Sequence, residues 1–191
     1  ALWLPDVTPS DISQSQILKD RLGKVRDLRA SSKRPSTKKL ADYPNLFGEI
    51  RQPNSEYLAV PGVSSENRKY VPMDLMPPEV IVNNALLTIP GAGLFTFGVL
   101  QSDVFNIWNA AVSGRLESRF RISAEITYNN FPFPSPTDDL KSKIEETAGQ
   151  ILKVRNQYPG ESLAVLYAPV SMPTDLLKAH QNNDVAVRKA F

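Results

Sequence analysis

Apolar residues recur along this chain with two different spacings. Leu18, Leu22, Val25 and Leu28 follow one another at three- and four-residue steps, which predicts one apolar helix face. Upstream, Thr8-Pro9-Ser10-Asp11 reads as the start of that helix, with Thr as N-cap, Pro at the first position and Asp three residues after the cap. Arg34 precedes Pro35 and is pushed out of helical conformation, so the helix ends over 31–35. A second short helix is predicted over 36–42. The middle of the chain breaks into short strand-like runs at 46–51, 56–60, 69–72, 80–82, 85–89 and 94–100, each bounded by Pro, Gly or Asn. Helical spacing returns over 103–113, with Val104, Ile107, Trp108 and Ala111 on one side and Gly114 as the stop, and 121–128 alternates like a strand. Pro132, Pro134 and Pro136 form a stiff connector. Beyond it, Thr137 caps a helix bearing Leu140, Ile144, Ala148, Ile151 and Val154 on one face, and a last helix starts near Pro173.

These elements predict an α+β chain. A mixed α/β domain of short strands with a basic helix occupies 1–134, and a small α-helical domain occupies 135–191. The 191 residues are enough for a real core, and 41% hydrophobic with 22% charged residues is an ordinary globular balance. No Cys removes disulfides, zinc ribbons, iron–sulfur clusters and thiol nucleophiles, and one His leaves no room for a zinc-hydrolase cluster. No apolar run approaches the roughly 20 residues of a membrane span. The chain opens on Ala1 with Leu2, Trp3 and Leu4 following. Apolar residues at a terminus usually belong inside something, so the chain reads as a piece of a longer protein.

The net charge of +2 hides a polarised layout. Residues 17–39 carry nine basic residues (Lys19, Arg21, Lys24, Arg26, Arg29, Lys33, Arg34, Lys38, Lys39) against Asp20 and Asp27, a local +7. Such a block is the footprint of a polyanion binder, and on charge alone a solvated helix face is the preferred reading.

Catalytic motifs are scarce. Pro90-Gly91-Ala92-Gly93 lacks the third glycine of a dinucleotide loop and reads as a turn. Asp138-Asp139 and Glu145-Glu146 sit on an exposed helix as solubilising charge, and His180 reads as a surface or partly packed histidine. Nucleic-acid chemistry is better represented. Ser64-Ser65-Glu66-Asn67-Arg68-Lys69-Tyr70 mixes the hydroxyl and cationic donors that grip phosphate oxygens, although taken alone it reads first as a polar surface turn. Arg115, Glu117, Arg119 and Arg121 alternate, so in an extended segment Glu117 and Arg119 share a face. Arg can bond guanine O6 and N7 while Glu accepts from cytosine N4, so the pair can read one G·C base pair. A surface salt-bridge ladder accounts for the same spacing.

Several motifs carry a resemblance over nearly the whole chain: Leu46-Phe47-Gly48-Glu49-Ile50-Arg51-Gln52-Pro53, Val63-Ser64-Ser65-Glu66-Asn67-Arg68, Tyr70-Val71-Pro72-Met73, Phe97-Gly98-Val99-Leu100-Gln101-Ser102, Gly114-Arg115-Leu116-Glu117-Ser118-Arg119 and Tyr128-Asn129-Asn130-Phe131-Pro132-Phe133-Pro134. In that order they resemble the C-terminal part of MmeI-like restriction–modification enzymes, type IIL within the broader type IIG group. The resemblance implies a target recognition domain and helical tail serving a parent that methylates adenine with S-adenosylmethionine and, in many members, also cuts DNA with Mg2+. It implies base reading by Glu117 and Arg119, with a second specificity region at Asn83 and Asn84. Gly62 falls where many relatives carry a charged or polar residue. Phosphate contacts are expected from Ser64, Ser65, Arg68, Lys69 and Arg115.

The chain itself is expected to be non-catalytic and to hold no cofactor. An adenine methyltransferase needs an Asn/Asp-Pro-Pro-Tyr/Phe motif, whereas Pro77-Pro78 follows Met76 and precedes Glu79. The implied partners are double-stranded DNA and the upstream methyltransferase and nuclease domains of the same parent, in a bacterial or archaeal cytoplasm, with no membrane. The competing readings are a scaffold that docks the methyltransferase core and, third, an RNA or single-strand binder.

Overall fold

A computed structural model describes residues 4–191. Ala1, Leu2 and Trp3, on which most of the apolar-terminus reading falls, lie outside the described residues. The chain forms two compact units, one ending at Arg51 and one running Gln52–Phe191.

In the first unit the predicted long helix is two. α1 spans Pro9–Gln14 and opens with a full capping box: the Thr8 hydroxyl accepts from the Asp11 N–H and the Asp11 carboxylate accepts from the Thr8 N–H at 2.9 Å. Ser15 then leaves the helical region (φ −122°, ψ 109°) and caps α2, Gln16–Ala30, by accepting from the Leu18 N–H. A serine that can bond its own backbone starts a new helix instead of continuing the old one. α2 buries Leu22 and half-buries Leu18 and Val25, but Leu28 is 73% exposed, so the apolar stripe is shorter than its spacing predicts. α3 (Pro35–Lys39) and a 3-10 turn (Leu40–Asp42) supply the predicted second helix. Arg29 leaves the basic block's exposed face and donates to the carbonyls of Leu40, Tyr43 and Leu46 at 2.7–2.9 Å, which holds 46–51 as a loop and not a strand. The other eight basic residues of the block are exposed.

The second unit is built on β1, Tyr57–Pro61, whose Tyr57, Leu58, Ala59 and Val60 are all buried. It is the middle strand of an antiparallel sheet with β3, Asp74–Met76, and β4, Leu86–Pro90, in the order β3-β1-β4. After Gly62 the chain enters a second antiparallel sheet, order β2-β6-β5, made of β2 (Val63–Ser64), β5 (Gly114–Leu116) and β6 (Arg119–Arg121). The strands predicted at 56–60 and 85–89 are present. Those predicted at 69–72 and 80–82 are loops. Gln52 donates to the carbonyls of Pro78 and Val80 at 2.8 Å and the Tyr57 hydroxyl donates to Val80, so side chains take the place of ladder partners there.

Residues 94–100, predicted as a strand, form helix α4, Leu94–Leu100. Phe97, Gly98, Val99 and Leu100 are buried consecutively, so no helical stripe survives in the sequence and β-type composition misleads. The helix predicted over 103–113 is present as α5 (Asp103–Val112), and Ser102 caps it by accepting from the Phe105 N–H. The predicted strand 121–128 ends at Arg121; Ser123 then caps a single π-helical turn, Ala124–Tyr128. α6 (Asp138–Arg155, capped by Thr137), α7 (Leu163–Leu166) and α8 (Thr174–Ala190) complete the unit. α6 lies against α4 so closely that a Cβ on Gly98 would stand 2.8 Å from Ile144 Cγ2. The boundary predicted near residue 135 therefore falls inside one compact unit with one core.

A buried polar cluster ties the helices to the sheets. Arg155 donates to the Met73 carbonyl at 2.7 Å, to Gln101 Oε1 at 3.0 Å and to the Tyr167 hydroxyl at 2.8 Å. His180 is fully buried, not a surface group: it stacks on Tyr70 at 4.1 Å, its Nδ1 lies 3.1 Å from the Gln101 carbonyl and its Nε2 2.7 Å from the Tyr167 hydroxyl. A carbonyl can only accept, so Nδ1 carries the proton and Nε2 accepts from Tyr167. Burial, with the nearby Arg155 charge, holds the His180 pKa down to about 3. The Tyr70 hydroxyl donates to Asp184 at 2.6 Å, and burial raises the Asp184 carboxyl above its ordinary pKa. These partners are far apart in sequence, which is why the spacing of residues around His180 gives no sign of them.

Candidate nucleic-acid interface

The four alternating residues at 115–121 form a hairpin. Leu116 pairs with Arg119, leaving Glu117 and Ser118 as a two-residue loop. Loops of this length need a left-handed residue at the first or both positions, normally Gly or Asn; here Glu117 takes it, at φ +59°. Glu117 is therefore not strand residue two places from Arg119 on a common face, as the alternation predicts. The turn folds its carboxylate back, and Arg119 Nη2 meets Glu117 Oε2 at 2.6 Å. With side chains 77% and 45% exposed, this pair contributes at most ~1 kcal/mol to stability. Its geometry is more informative: a forked donor and an acceptor are held side by side in solvent.

Cross-strand partners share a face of a sheet. Arg115 and Ser64 both pair with Phe120; this face is buried at Ser64 and half-buried at Phe120, and Arg115 at its outer edge is exposed. Leu116, Arg119 and Arg121 lie on the opposite face and are exposed. Among the described residues, the Arg121 and Arg68 guanidinium groups have no hydrogen-bond or ion-pair partner.

The sheet also brings the serine-rich loop to the hairpin, because β2 pairs with β6 and runs straight into Ser65. The Ser65 carbonyl accepts from the Arg68 N–H and its hydroxyl from the Asn67 N–H, a tight turn that leaves Lys69 exposed and Arg68 half-buried. Glu66 faces the hairpin loop: a hydrogen bond from Ser118 holds its carboxyl below the usual range, with the Arg115 and Arg119 charges adding to the effect. Composition alone gives no reason to single out Glu66, because its partner lies some fifty residues away. The structure shows the surroundings of two of the residues expected to contact phosphate. The Ser64 hydroxyl is buried without a partner, so it is not presented to solvent. Arg115 is engaged within the hairpin: it donates to the Ser118 carbonyl at 3.0 Å, and its guanidinium carbon lies over the Phe120 ring, 4.0 Å from the centroid.

Asn83 and Asn84 are exposed in the turn before β4, where Asn83 Oδ1 accepts from the Ala85 N–H at 2.9 Å. Gly62 joins this turn to the second sheet, donating to the Ala85 carbonyl at 2.8 Å and accepting from the Ile122 N–H at 2.9 Å. A Cβ at Gly62 would stand 3.2 Å from the Ala85 oxygen, a tight but not prohibitive approach. So the hairpin, the serine-rich loop and the asparagine turn converge through backbone bonds. The basic helix α2 belongs to the other compact unit. Among the described residues no group of three or more acidic, His or Cys side chains could hold a metal ion, and no helix is long and apolar enough to cross a membrane.

A family model of the MmeI target recognition domain matches residues 1–135, and one of the MmeI C-terminal domain matches residues 136–191. The chain is 35% identical over 190 residues to a DNA methyltransferase A of Bacillus subtilis (strain 168), covering all of this chain and 22% of that protein. A solved structure, of the type IIL restriction-modification enzyme MmeI in complex with DNA, is 43% identical, with a TM-score of 0.95 over all of this chain and 25% of that one. The chain thus spans a quarter or less of the length of these relatives. Matched along its whole length in this way, the chain belongs to the MmeI family, as a target recognition domain followed by a C-terminal domain.

Proposed function

We propose that this chain reads the sequence of double-stranded DNA for a parent enzyme that methylates adenine. The observation that carries the reading is the exposed Glu117–Arg119 pair at a hairpin tip, in a chain whose structural relative is MmeI with DNA. A two-stranded ribbon is narrow enough for the major groove. There, Arg119 would donate to guanine O6 and N7 while Glu117 accepts from the N4 of the paired cytosine. Arg121, two places along the same face, adds a cation to that surface. Asn83 and Asn84 approach as a second reading segment, since an amide side chain matches the donor–acceptor pair of adenine N6 and N7. Ser65, Arg68 and Lys69 set register and orientation on phosphate oxygens. The chemistry belongs to the parent: S-adenosylmethionine would be held by its methyltransferase domain and Mg2+ by its nuclease domain.

Exchanging the charges tests this in the full-length parent. Glu117→Lys with Arg119→Asp should change the base pair required at one position of the modified site, read by sequencing methylated DNA. An unchanged recognition sequence would overturn the assignment, and a scaffold role would give that result.

A further inference from the structure

The reading pair sits at the end of strands only three residues long, and a hairpin this short is marginal unless something outside it holds the tip. We infer that Arg115 is the positioning residue of the recognition hairpin and not a phosphate contact, an inference that rests on the base-reading role of Glu117 and Arg119. Its guanidinium makes three engagements at once. Nη1 donates to the Ser118 carbonyl at 3.0 Å, Nη2 reaches the Ala110 carbonyl at 3.4 Å, and Cζ lies over the Phe120 ring, 4.0 Å from its centroid.

The two carbonyls have different owners. Ser118 is the second residue of the loop and lies between Glu117 and Arg119. Ala110 lies in the last turn of α5, where carbonyls have no partner within the helix and a cation is favoured. α5 in turn is fixed to the interior. Trp108 Nε1 donates to the Thr127 carbonyl at 2.8 Å, and the Ser113 hydroxyl lies 2.6 Å from Asn109 Oδ1 and 2.7 Å from Thr127 Oγ1, all three of these polar side chains being buried. One side chain therefore refers the tip to a rigid helix. The interaction needs a planar fork with a face free for stacking, which Lys lacks.

The consequence is specific to one base pair. With the fork removed, Glu117 and Arg119 remain but their position relative to α5 is no longer fixed. Discrimination at the base pair they read then weakens, while discrimination through Asn83 and Asn84, which reach the sheet through Gly62, persists. The test is competition binding by the full-length parent to a set of DNA duplexes, each changed at one base pair of the site, repeated over a range of salt. Arg115→Lys keeps the charge and the solubility of the hairpin, and Arg115→Gln removes the charge.

Both variants should lose about tenfold in discrimination at the 117/119 base pair, within what one bidentate contact supplies. Both should retain the parent's discrimination at the other positions and its salt dependence. If Arg115 instead held a phosphate, Arg115→Gln would flatten the salt slope by about one and leave discrimination intact. That outcome overturns the inference, as does an equal loss at every base pair, which a merely structural role would give. The Glu117→Lys, Arg119→Asp exchange separates the two ideas. If the exchange fails to change the recognised base pair, the reading assignment is wrong. If it succeeds and the Arg115 variants discriminate like the parent, only the positioning inference is wrong.

Discussion

Glu117→Gly should separate folding from recognition in one step. An L-residue in the left-handed region costs ~1–2 kcal/mol, and Glu117 sits there at φ +59°. Glycine removes that cost. It returns ~0.4–1 kcal/mol through the greater freedom of the unfolded chain. It also removes the exposed ion pair with Arg119, worth about 0.2–1 kcal/mol. These contributions place the Gly variant between about 1 kcal/mol less and about 1.4 kcal/mol more stable than the parent, although it has lost a charged side chain and its contact. Glu117→Val is the counterpart. It loses the same ion pair, keeps the left-handed strain and worsens it with a branched Cβ, so it should fall below the Gly variant by roughly 2 kcal/mol. Urea unfolding followed by fluorescence suits the measurement, because a Trp3→Phe background leaves Trp108, on α5, as the reporter. In the parent enzyme, on the proposed base-reading role of Glu117, the Gly variant should nonetheless lose discrimination at one base pair. A Gly variant less stable than the Val variant would refute the strain argument.

Two further outcomes follow from the core. Gly98→Ala should destabilise by ~1–3 kcal/mol, because its Cβ meets Ile144 Cγ2 at 2.8 Å and Ala148 Cβ at 3.0 Å; Gly149→Ala, in α6 with nothing within 4 Å, should gain up to ~1 kcal/mol. Thermal melts that move the same way for both would contradict the packing described. His180 gives the pH dependence: its folded-state pKa of about 3 lies below the ordinary 6.5, so under pH 6.5 the unfolded chain takes up a proton that the folded chain refuses. Stability is therefore complete above pH 6.5 and falls as the pH drops toward 3, at up to about 1.4 kcal/mol per pH unit. Burial raises the Asp74 and Asp184 carboxyls, which oppose this trend, so the comparison is with His180→Gln. Between pH 7 and pH 5 the parent should lose about 2 kcal/mol more than that variant in urea unfolding; parallel losses would refute the buried neutral histidine.

The sequence was readable where structure is local. The Thr8 and Thr137 caps, the Ser36–Asp42 region and the α5 start all depend on residues within four positions of one another. It misled wherever burial on every side removes periodicity, as in Leu94–Leu100, or where distant partners decide the outcome. His180 finds its partners through residues about 80 and 110 positions away, near Gln101 and Tyr70. The hairpin escaped its usual signal because Glu-Ser stands where Asn-Gly would announce the turn. The pairing of Glu117 with Arg119 was legible from their chemistry, but the route by which they meet was not. The engagement of Arg115 and the burial of the Ser64 hydroxyl needed the register of a three-stranded sheet.

The shared core of the second unit bears on how such modules can be exchanged between relatives. A graft that took the recognition strands and stopped at residue 135 would cut between Met73 and Arg155, between Tyr70 and Asp184, and between Gly98 and Asn183, stranding a buried partner on each side. The natural cassette for transplanting specificity is thus Gln52–Phe191 taken whole, with the helices travelling as the chassis of the reading surface.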